Sequence, residues 1–571
     1  MTHYTLGLNI FHADSSSCLM KNGKLVCAFE EERLNRIKHW AGVPLLSINE
    51  CLKYAKIKIE DIDTITINSN PYSNLKKKFL YTVNSKNLFF NINSFLKRQS
   101  KKYSIIDEIE KFYKRKVKAK ILRYDHHLSH IASSYYLSGF NEATGISIDG
   151  FGDFCSLAIS KCKGKNINIV ARTFYPNSLG VFYEGITQIL GFENYGDEYK
   201  VMGLSAYGKP KYQKKLENLI RFDENKFIHL NLDYFLHTKK NFHYTFDGIP
   251  KNSKLINKKK LVNLLNIKFK DLSNEIIKAD IAASAQKVFE KIFFEIVKKS
   301  LKYNKSKNLV LAGGCVMNCL ANGKLVKNKI FEKIFIPYCP GDNGGAIGSA
   351  LLSYKKKINL KSFQNPYLGI RINKKDELIY LLKKNKLKYK KFSNFRELNK
   401  DLERKLINKK IIAVFRNDME FGSRALGNTS IICDPRLPDA KKIINSKVKL
   451  REKFRPFAPS ILYKKVNKWF ERSVNSPYMS FVLKFKKDKR KLVPAVCHVD
   501  DTGRLQTVTK NFNEQYYDLI QKFEKKTNIP MLLNTSFNKN EPIVESQKRA
   551  IETFRRTSID FLNIDNYLIS K

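Results

Sequence analysis

The sequence predicts an α/β protein with two domains, and three observations lead to this fold class. A strand, an acidic loop and a hairpin follow one another at residues 4–29, and the same order returns about 135 residues later, at 145–173. Glycine-rich loops at 312–318 and 340–348 each lead from a strand into a helix. The chain of 571 residues is too long for one hydrophobic core, so a second domain is expected.

The repeated unit, with helices between its copies, is the plan of actin-like and sugar-kinase-like ATPase folds. In such folds each half presents one loop to the phosphates. In the first copy, strands are predicted at 4–10 and 25–29, and the pair Asn22-Gly23 favours a tight hairpin turn before the later strand. The loop after the first strand contains His12 and Asp14.

Two histidines, His126 and His130, precede the second copy of the unit. If Asp125 caps a helix, the spacing of four places both imidazoles on one face, where they can share a cation with a nearby carboxylate. Such a pair also arises by chance, but an acidic loop that begins at Asp149 follows it. A metal beside a nucleotide phosphate is therefore the first interpretation.

Two glycine-rich loops are expected to approach the nucleotide, because glycine lets backbone amides come close to phosphates. The first loop follows a strand at 308–311 and contains Gly313, Gly314 and Asn318. The second contains Asp342 and opens a helix of small residues. One such loop is weak evidence, whereas acidic and glycine-rich loops in this order favour an ATPase-like first domain.

The second domain is expected to begin near 354–366, where Lys, Asn, Gln and Pro interrupt the periodicity. Strands are predicted at 411–415 and 531–533, and helices at 439–447 and 516–526. Basic side chains fall in its loops and favour a shared anion-binding site, since guanidinium forks suit phosphate oxygens. They are Arg416, Arg424, Lys449, Arg451, Arg455 and Arg504.

Composition limits the partners and the compartment. The net charge is +52, but Lys is spread over the chain and no nucleic-acid-binding motif accompanies it, so we expect no nucleic-acid partner. Ten cysteines without a Cys-x-x-Cys motif are typical of a reducing, cytoplasmic protein. No stretch is long and apolar enough for membrane insertion. Residues 75–120, expected to be helical, and 225–275 are interpreted as insertions without an assigned role.

Ordered motifs extend over nearly the whole chain. In the first half they are Phe11-His12-Ala13-Asp14-Ser15-Ser16, Glu31-Glu32-Arg33, His126-His127-Leu128-Ser129-His130, Tyr199-Lys200-Val201-Met202-Gly203-Leu204-Ser205-Ala206-Tyr207-Gly208 and Gly313-Gly314-Cys315-Val316-Met317-Asn318. In the second half they are Arg424-Ala425-Leu426-Gly427-Asn428, Phe454-Arg455-Pro456-Phe457-Ala458-Pro459, Gly503-Arg504-Leu505-Gln506-Thr507 and Leu533-Asn534-Thr535-Ser536-Phe537-Asn538. Together they closely resemble the O-carbamoyltransferases of nodulation and antibiotic tailoring.

The resemblance implies two catalytic domains. Residues 1–356 would form an actin-like carbamoyl-transfer domain, similar to that of the enzymes that threonylcarbamoylate tRNA. Residues 366–571 would form a YrdC-like α/β domain that makes carbamoyl adenylate from ATP and carbamoyl phosphate, the two co-substrates. The first domain would then transfer the carbamoyl group to a hydroxyl of a small acceptor: a sugar, a glycan precursor or a secondary metabolite.

The resemblance also implies a metal site. His126, His130 and Asp342 match the family's ligands, and a set of two histidines and a carboxylate suits Fe(II), Mn(II) or Zn(II) better than Mg(II), with Fe(II) as the first expectation. Either His12 or Asp14 is the hypothetical general base for the acceptor hydroxyl, although a structural cap is an equal alternative for Asp14.

Phosphate and nucleotide contacts are implied for two further sets of residues. The phosphate-binding set is Arg424, Lys449, Arg455 and Arg504, with Asn534 and Ser536 as supporting hydrogen-bond partners. The set expected to contact or position the nucleotide is Asp149, Lys200, Gly313, Gly314 and Asn318. The basic set would offset the charge repulsion between anionic substrates and stabilise the departing phosphates.

Rival functions come from two other classes. The first is an enzyme that threonylcarbamoylates tRNA, which would share the actin-like half. The second is a non-catalytic, actin-like ATP-binding scaffold. The C-terminal phosphate-handling motifs argue against the tRNA-modifying enzyme and against a generic ATPase or kinase. The intact histidines, aspartate and basic set argue against the scaffold.

Overall fold

The computed structural model describes residues 2–83, 105–239, 248–250, 253–354, 364–371 and 375–571. The chain divides into two compact units. Unit 1 consists of Met1–Val201, Gly208–Met317 and Ile330–Gln364. Unit 2 consists of Met202–Tyr207, Asn318–Lys329 and Asn365–Lys571. Two short segments, Met202–Tyr207 and Asn318–Lys329, are therefore grouped with unit 2 although they interrupt unit 1 in the sequence.

Unit 1 contains two five-stranded sheets with the same topology. In each sheet three consecutive strands are antiparallel, and two later strands add in parallel beside the first of them. The first sheet has the order Lys24–Glu30, Ser16–Lys21, Tyr4–Asn9, Thr64–Ile67 and Lys120–Arg123. The second has the order Asn166–Phe174, Cys155–Lys163, Glu142–Gly152, Asn308–Ala312 and Lys333–Phe335. The repeat confirms the duplicated α/β plan that the sequence predicts.

Two helices of unit 1, His126–Ser138 and Gly344–Ser353, pack against each other, and each also packs on the first strand of one sheet. Gly348 permits their close approach, because a Cβ at this position would lie 1.9 Å from the carbonyl oxygen of Ser129. This helix pair therefore joins the two copies of the repeated unit into one core.

Other described elements of unit 1 surround this core. The helices are Glu31–Asn35, Leu45–Ala55, Leu75–Val83, Ile105–Tyr113, Leu179–Ile189, Gln213–Leu216, Lys258–Leu265 and Glu275–Ser300. A short hairpin pairs Ile220–Asp223 with Phe227–Leu230. The helix Glu198–Leu204 spans the division between the units. Parts of the two predicted insertions, at 84–104, 240–247 and 251–252, lie outside the described residues.

Unit 2 is built on a nine-stranded mixed sheet. Its strand order is Lys388–Lys391, Tyr567–Ser570, Phe561–Ile564, Ile412–Phe415, Thr429–Cys433, Met531–Ser536, Ala458–Leu462, Thr502–Val508 and Phe481–Lys484. A small separate ladder pairs Tyr367–Arg371 with Asp418–Glu420. The helices are Cys319–Asn328, Lys375–Lys384, Phe395–Ile407, Ala440–Ile443 with the π-helical turn Ile444–Lys449, Val466–Trp469, Glu514–Thr527 and Gln547–Arg555.

Two strands are longer than their apolar patterns predict. The strand predicted at 531–533 continues to Ser536, because the strand Thr429–Cys433 pairs with Asn534, Thr535 and Ser536. The strand that precedes the acidic loop of the second copy continues to Gly152, although its pairing with Cys155–Lys163 is irregular between Ile148 and Gly152. Asp149 is therefore presented from a strand. In the described part of the chain no helix is long and apolar enough to cross a membrane.

Candidate functional site

Four side chains of unit 1 converge at the start of the helix His126–Ser138. The Nε2 atoms of His126 and His130 are 3.0 Å apart. Asp149 Oδ2 lies 3.3 and 3.0 Å from these two nitrogens, and Asp342 Oδ1 lies 3.5 and 3.3 Å from them. One ligand atom from each residue lies within 4.8 Å of all the others, as expected of side chains that share a cation.

Local structure presents the two histidines. The side chain of Asp125 accepts a hydrogen bond from the Leu128 N–H at 3.0 Å and caps the helix, as the sequence predicts. The His126 N–H donates to Asp153 Oδ2 at 3.0 Å, so a second carboxylate fixes the same helix end. With the helix start held in this way, the spacing of four directs both imidazoles to one side.

Glycines surround the Asp149 side of the cluster. The N–H groups of Gly150 and Gly314 donate to Asp149 Oδ1 at 2.8 and 3.2 Å. Gly313 has a φ of +93°, and a Cβ there would lie 2.2 Å from the Ile148 carbonyl oxygen. The Gly313-Gly314 turn, expected at the nucleotide, therefore also orients a carboxylate of the four-residue cluster.

Charge and burial act together on these side chains. Burial lowers the pKa of His130, but hydrogen bonds and charge from Asp149 and Asp342 outweigh it and raise that pKa to about 9. Burial raises the pKa of Asp149, but His126 and His130 overcome this effect and hold it well below its usual range. Burial and the charge of Asp149 raise the pKa of Asp342. Two partly buried carboxylates that face two buried imidazole nitrogens form a donor set suited to a divalent transition metal.

The two candidate bases have different surroundings. The His12 ring lies 4.6 Å from the His126 ring, centroid to centroid. Asp14 instead contacts His39, with Oδ1 and Nδ1 2.7 Å apart. Burial lowers the pKa of His39, but Asp14 raises it to about 9, so this imidazole is protonated at neutral pH. His12 therefore stands beside the cluster, whereas Asp14 is held in an ion pair with His39.

Lys200 and Asn318 make local contacts. Lys200 Nζ pairs with Asp197 at 3.0 Å. The side chain of Asn318 accepts a hydrogen bond from the Ala321 N–H at 3.1 Å and caps the helix Cys319–Asn328. These contacts orient both side chains, and their expected roles at the nucleotide stay predictions.

In unit 2, Lys449 is almost fully buried, with 1% of the residue exposed. Its ammonium group donates to the carbonyl oxygen of Ser536, to Ser536 Oγ at 3.2 Å and to Asn538 Oδ1 at 2.6 Å. The structure thus brings together Lys449 and Ser536, which are separated by 87 residues in the sequence. All three of these acceptors of the ammonium group are neutral oxygens.

Other expected residues share one face of the nine-stranded sheet. Cross-strand register places Arg504, Gln506, Asn534 and Ser536 on the same side. Asn534 Nδ2 donates to Gln506 Oε1 at 2.8 Å and to the Ala425 carbonyl oxygen at 3.1 Å, which ties the loop containing Arg424 to this face.

Arg504 and Arg455 influence each other electrostatically. Burial lowers the pKa of Arg504, and the positive charge of Arg455 lowers it further, although Cys319 opposes this shift. Arg455 Nη1 also pairs with Glu452 at 3.3 Å. Two guanidinium groups close enough to repel each other favour a bound anion, since its charge offsets the repulsion.

Two family models match this chain along most of its length. The model described as carbamoyltransferase N-terminus matches residues 4–351, and the model described as carbamoyltransferase C-terminus matches residues 403–571. The chain belongs to the carbamoyltransferase family. The expected enzyme class, a carbamoyltransferase, is confirmed.

Relatives of this carbamoyltransferase match over similar lengths. It is 34% identical over 582 residues to the nodulation protein NolNO of Sinorhizobium fredii, covering 99% of this chain and 80% of that protein. It is 34% identical over 456 residues to the nodulation protein NolO of Bradyrhizobium diazoefficiens, covering 78% and 79%. It is 32% identical over 620 residues to an uncharacterized protein of Synechocystis, covering 100% and 97%.

Three contributors to the sites of the carbamoyltransferase were not assigned roles from the sequence. They are Asp153, which holds the start of the histidine helix, and Gln506 and Asn538, which hydrogen-bond the expected Asn534 and Lys449. Asn538 stands two residues after Ser536, but the chain turns between them, with the Asn538 N–H donating to the Ser536 carbonyl oxygen at 3.1 Å, so strand periodicity offers no signal for this contact. Asp153 is the last residue of the acidic loop that begins at Asp149, but its contact with the His126 N–H forms only when the chain folds.

Proposed function

We propose that this carbamoyltransferase transfers a carbamoyl group to a hydroxyl of a small acceptor, with ATP and carbamoyl phosphate as co-substrates. We assign adenylate formation to residues 366–571 and carbamoyl transfer to residues 1–356. The observation that carries the proposal is the cluster of the buried His126 and His130 with the partly buried Asp149 and Asp342, with His12 beside it. We propose a sugar, a glycan precursor or a secondary metabolite as the acceptor.

The first step gathers several negative charges in one place. Water cleaves carbamoyl phosphate into carbamate and phosphate. A carbamate oxygen then bonds to the α-phosphorus of ATP while the bond to pyrophosphate breaks. Positive charge from Arg424, Lys449, Arg455 and Arg504 offsets repulsion between these anions and stabilises the leaving phosphates. The hydrogen bonds of Asn534 and Ser536 support this role because they hold the arginine loop and Lys449 in place.

In the second step, the acceptor hydroxyl attacks the carbamoyl carbon of carbamoyl adenylate, and the bond to AMP breaks. We assign His12 to receive the hydroxyl proton, because its ring stands beside the cluster and Asp14 is already paired with His39. The ion pair of Asp14 and His39 would hold the loop that carries His12.

A divalent metal fits the four-residue cluster, and we propose Fe(II), with Mn(II) and Zn(II) as alternatives. His126, His130, Asp149 and Asp342 would hold it, so Asp149 is proposed as a ligand in addition to its expected place near the nucleotide. When bound, the metal would act as a Lewis acid that neutralises negative charge on the adenylate. The hydrogen bond from Gly314 to Asp149 would support this ligand from behind.

Two product measurements test the two steps separately. Pyrophosphate release should require both ATP and carbamoyl phosphate, and Arg455→Ala should abolish it while Arg472→Ala, at an exposed arginine, retains it. AMP release should require an added hydroxyl acceptor. His130→Ala should abolish AMP release and retain pyrophosphate release, whereas the control His3→Ala should retain both. Absence of pyrophosphate release from folded, metal-loaded protein would contradict the proposal and favour a scaffold.

A further inference from the structure

Arg416 of unit 2 is fully buried, with 0% of the residue exposed. It follows the strand Ile412–Phe415 directly, and its backbone N–H donates to the Asn428 carbonyl oxygen at 3.0 Å. None of its three guanidinium nitrogens has a hydrogen-bond partner among the residues that the structure describes. A buried guanidinium with unmet donors is costly unless an anion or water satisfies it.

The nearest carboxylates do not satisfy this arginine. Glu420 and Asp565 are close enough to affect the pKa of Arg416, but neither is hydrogen-bonded to its guanidinium group. Glu420 Oε1 is occupied by the N–H groups of Leu426 and Asn428, at 2.7 and 2.9 Å. The guanidinium group is therefore buried with its donors unmet.

Tyr516 places a buried hydroxyl in the same region. Its charge interaction with Arg416 shows that the two groups are close. Burial raises the pKa of Tyr516, although Ser460 opposes this shift, so the hydroxyl stays protonated and can donate. The unmet donors are those of the guanidinium group, and this hydroxyl lies beside them.

We propose that Arg416 and Tyr516 bind a small monoanion of the carboxylate type, of the size of formate or bicarbonate. Guanidinium groups bind planar oxyanions through two parallel hydrogen bonds, which accounts for the carboxylate type. The complete burial of Arg416 limits the size. The nearby Glu420 and Asp565 would repel a second negative charge, which favours a monoanion over phosphate.

This site differs from the proposed phosphate-binding set. Arg416 directly follows the strand Ile412–Phe415, which pairs with Thr429–Cys433, and Ser536 lies on the strand beyond that one. Two strand spacings of about 4.8 Å separate these strands by roughly 10 Å. The monoanion site is therefore a neighbour of the Lys449 group on the same sheet and a separate place for a ligand.

The site also contacts the loop that carries Arg424. Glu420 hydrogen-bonds the loop backbone, and a Cβ at Gly427 would lie 2.4 Å from the Tyr516 ring. A monoanion that fixes Arg416 and Tyr516 would therefore stiffen this loop. This consequence rests on the proposed function, whereas binding of the anion rests on the buried donors alone.

Thermal unfolding of the full chain tests the site. Sodium formate is compared with sodium gluconate at equal ionic strength, because gluconate is too large for a sealed site. The Tm compared is that of the first unfolding transition in which unit 2 takes part. We expect this Tm to be about 3 °C higher in formate than in gluconate. In Arg416→Met the formate-specific shift should vanish, and the Tm without formate should equal or exceed that of the natural protein. Equal effects of both salts, or a retained shift in the variant, would refute the site.

Crystals of the unaltered protein soaked in bromide provide a test without substitution. An anomalous peak at the Arg416 guanidinium supports the inference, and its absence overturns it. Tyr516→Phe should reduce the formate-specific shift of Tm several-fold. This variant replaces Arg416→Met as the test if Arg416→Met does not fold. Loss of pyrophosphate release with an intact formate shift would contradict the proposed function alone. A lost shift with intact pyrophosphate release would contradict this inference alone.

Discussion

Substitution of Gly152 by alanine should disable the proposed metal centre without replacing any of its ligands. A Cβ at this position would lie 2.0 Å from Cδ2 and 2.5 Å from Nε2 of His126. Ordinary contact begins at 3.4 Å, so the imidazole must retreat by about 1.4 Å. Metal–ligand distances tolerate only about 0.2 Å, so the displaced ring can no longer act as a ligand.

The expected loss follows from removing one ligand of four. We expect metal affinity to fall at least about 100-fold, or about 2.7 kcal/mol. Overpacking beside a buried ring should lower the free energy of unfolding by about 1–3 kcal/mol, which leaves a protein of this size folded. The loss of affinity should therefore exceed what general destabilisation produces.

Gly150→Ala is the matched control, because a Cβ at Gly150 meets no atom within 4 Å. Both glycines lie on the strand Glu142–Gly152. Fe(II), Mn(II) and Zn(II) affinities are measured by competition with a chelator, and circular dichroism checks the fold. If Gly152→Ala binds metal as tightly as Gly150→Ala, His126 is not a ligand and the cluster has been misinterpreted.

Three further predictions concern the charges of both units. Lys449→Met should lower the rate of pyrophosphate release at saturating substrates about 100-fold, whereas Arg472→Ala should not; equal rates would remove Lys449 from the site. Because the pKa of His130 is about 9 without metal and about 6.5 when unfolded, chelated protein should lose unfolding free energy as pH rises from 6.5 to 9. His39 gives the unfolding free energy of chelated and of metal-loaded protein a similar dependence on pH. The difference between the denaturant curves of the two forms should therefore disappear in His130→Gln. Glu31→Ala leaves two helix N–H groups of Leu45–Ala55 without their acceptor and should cost about 1–3 kcal/mol in urea unfolding; an unchanged midpoint would contradict this capping role.

Predictions from local patterns were correct where the geometry depends only on residues that are close in the sequence. The capping of a helix by Asp125 and the common face of His126 and His130 follow from spacing within one helical turn. The tight turn at Asn22-Gly23 forms with φ of +49° and +78°, as that pair favours. The repeat of the strand order in two sheets likewise appears in the sequence as a repeated pattern.

Side-chain roles that depend on distant partners were less accessible. The expected place of Asp149 near the nucleotide stays a prediction, and folding also brings its carboxylate against His126 and His130. Asp14 was weighed as a base or a cap, and His39 was found to be its partner. Such pairings depend on contacts between loops that are distant in the sequence, and secondary-structure propensities do not describe those contacts.

The α/β class, the duplicated unit, the family and the residue types of each site follow from the sequence, and the resemblance already groups Asp342 with the two histidines. The contacts of Asp149 with both histidines, the enclosure of Lys449 by Ser536 and Asn538, and the burial of Arg416 with its donors unmet are apparent only in the folded protein. The physical reason is that hydrophobic periodicity and turn chemistry act over a few residues. Convergence of side chains instead depends on packing between sheets and helices that are far apart along the chain.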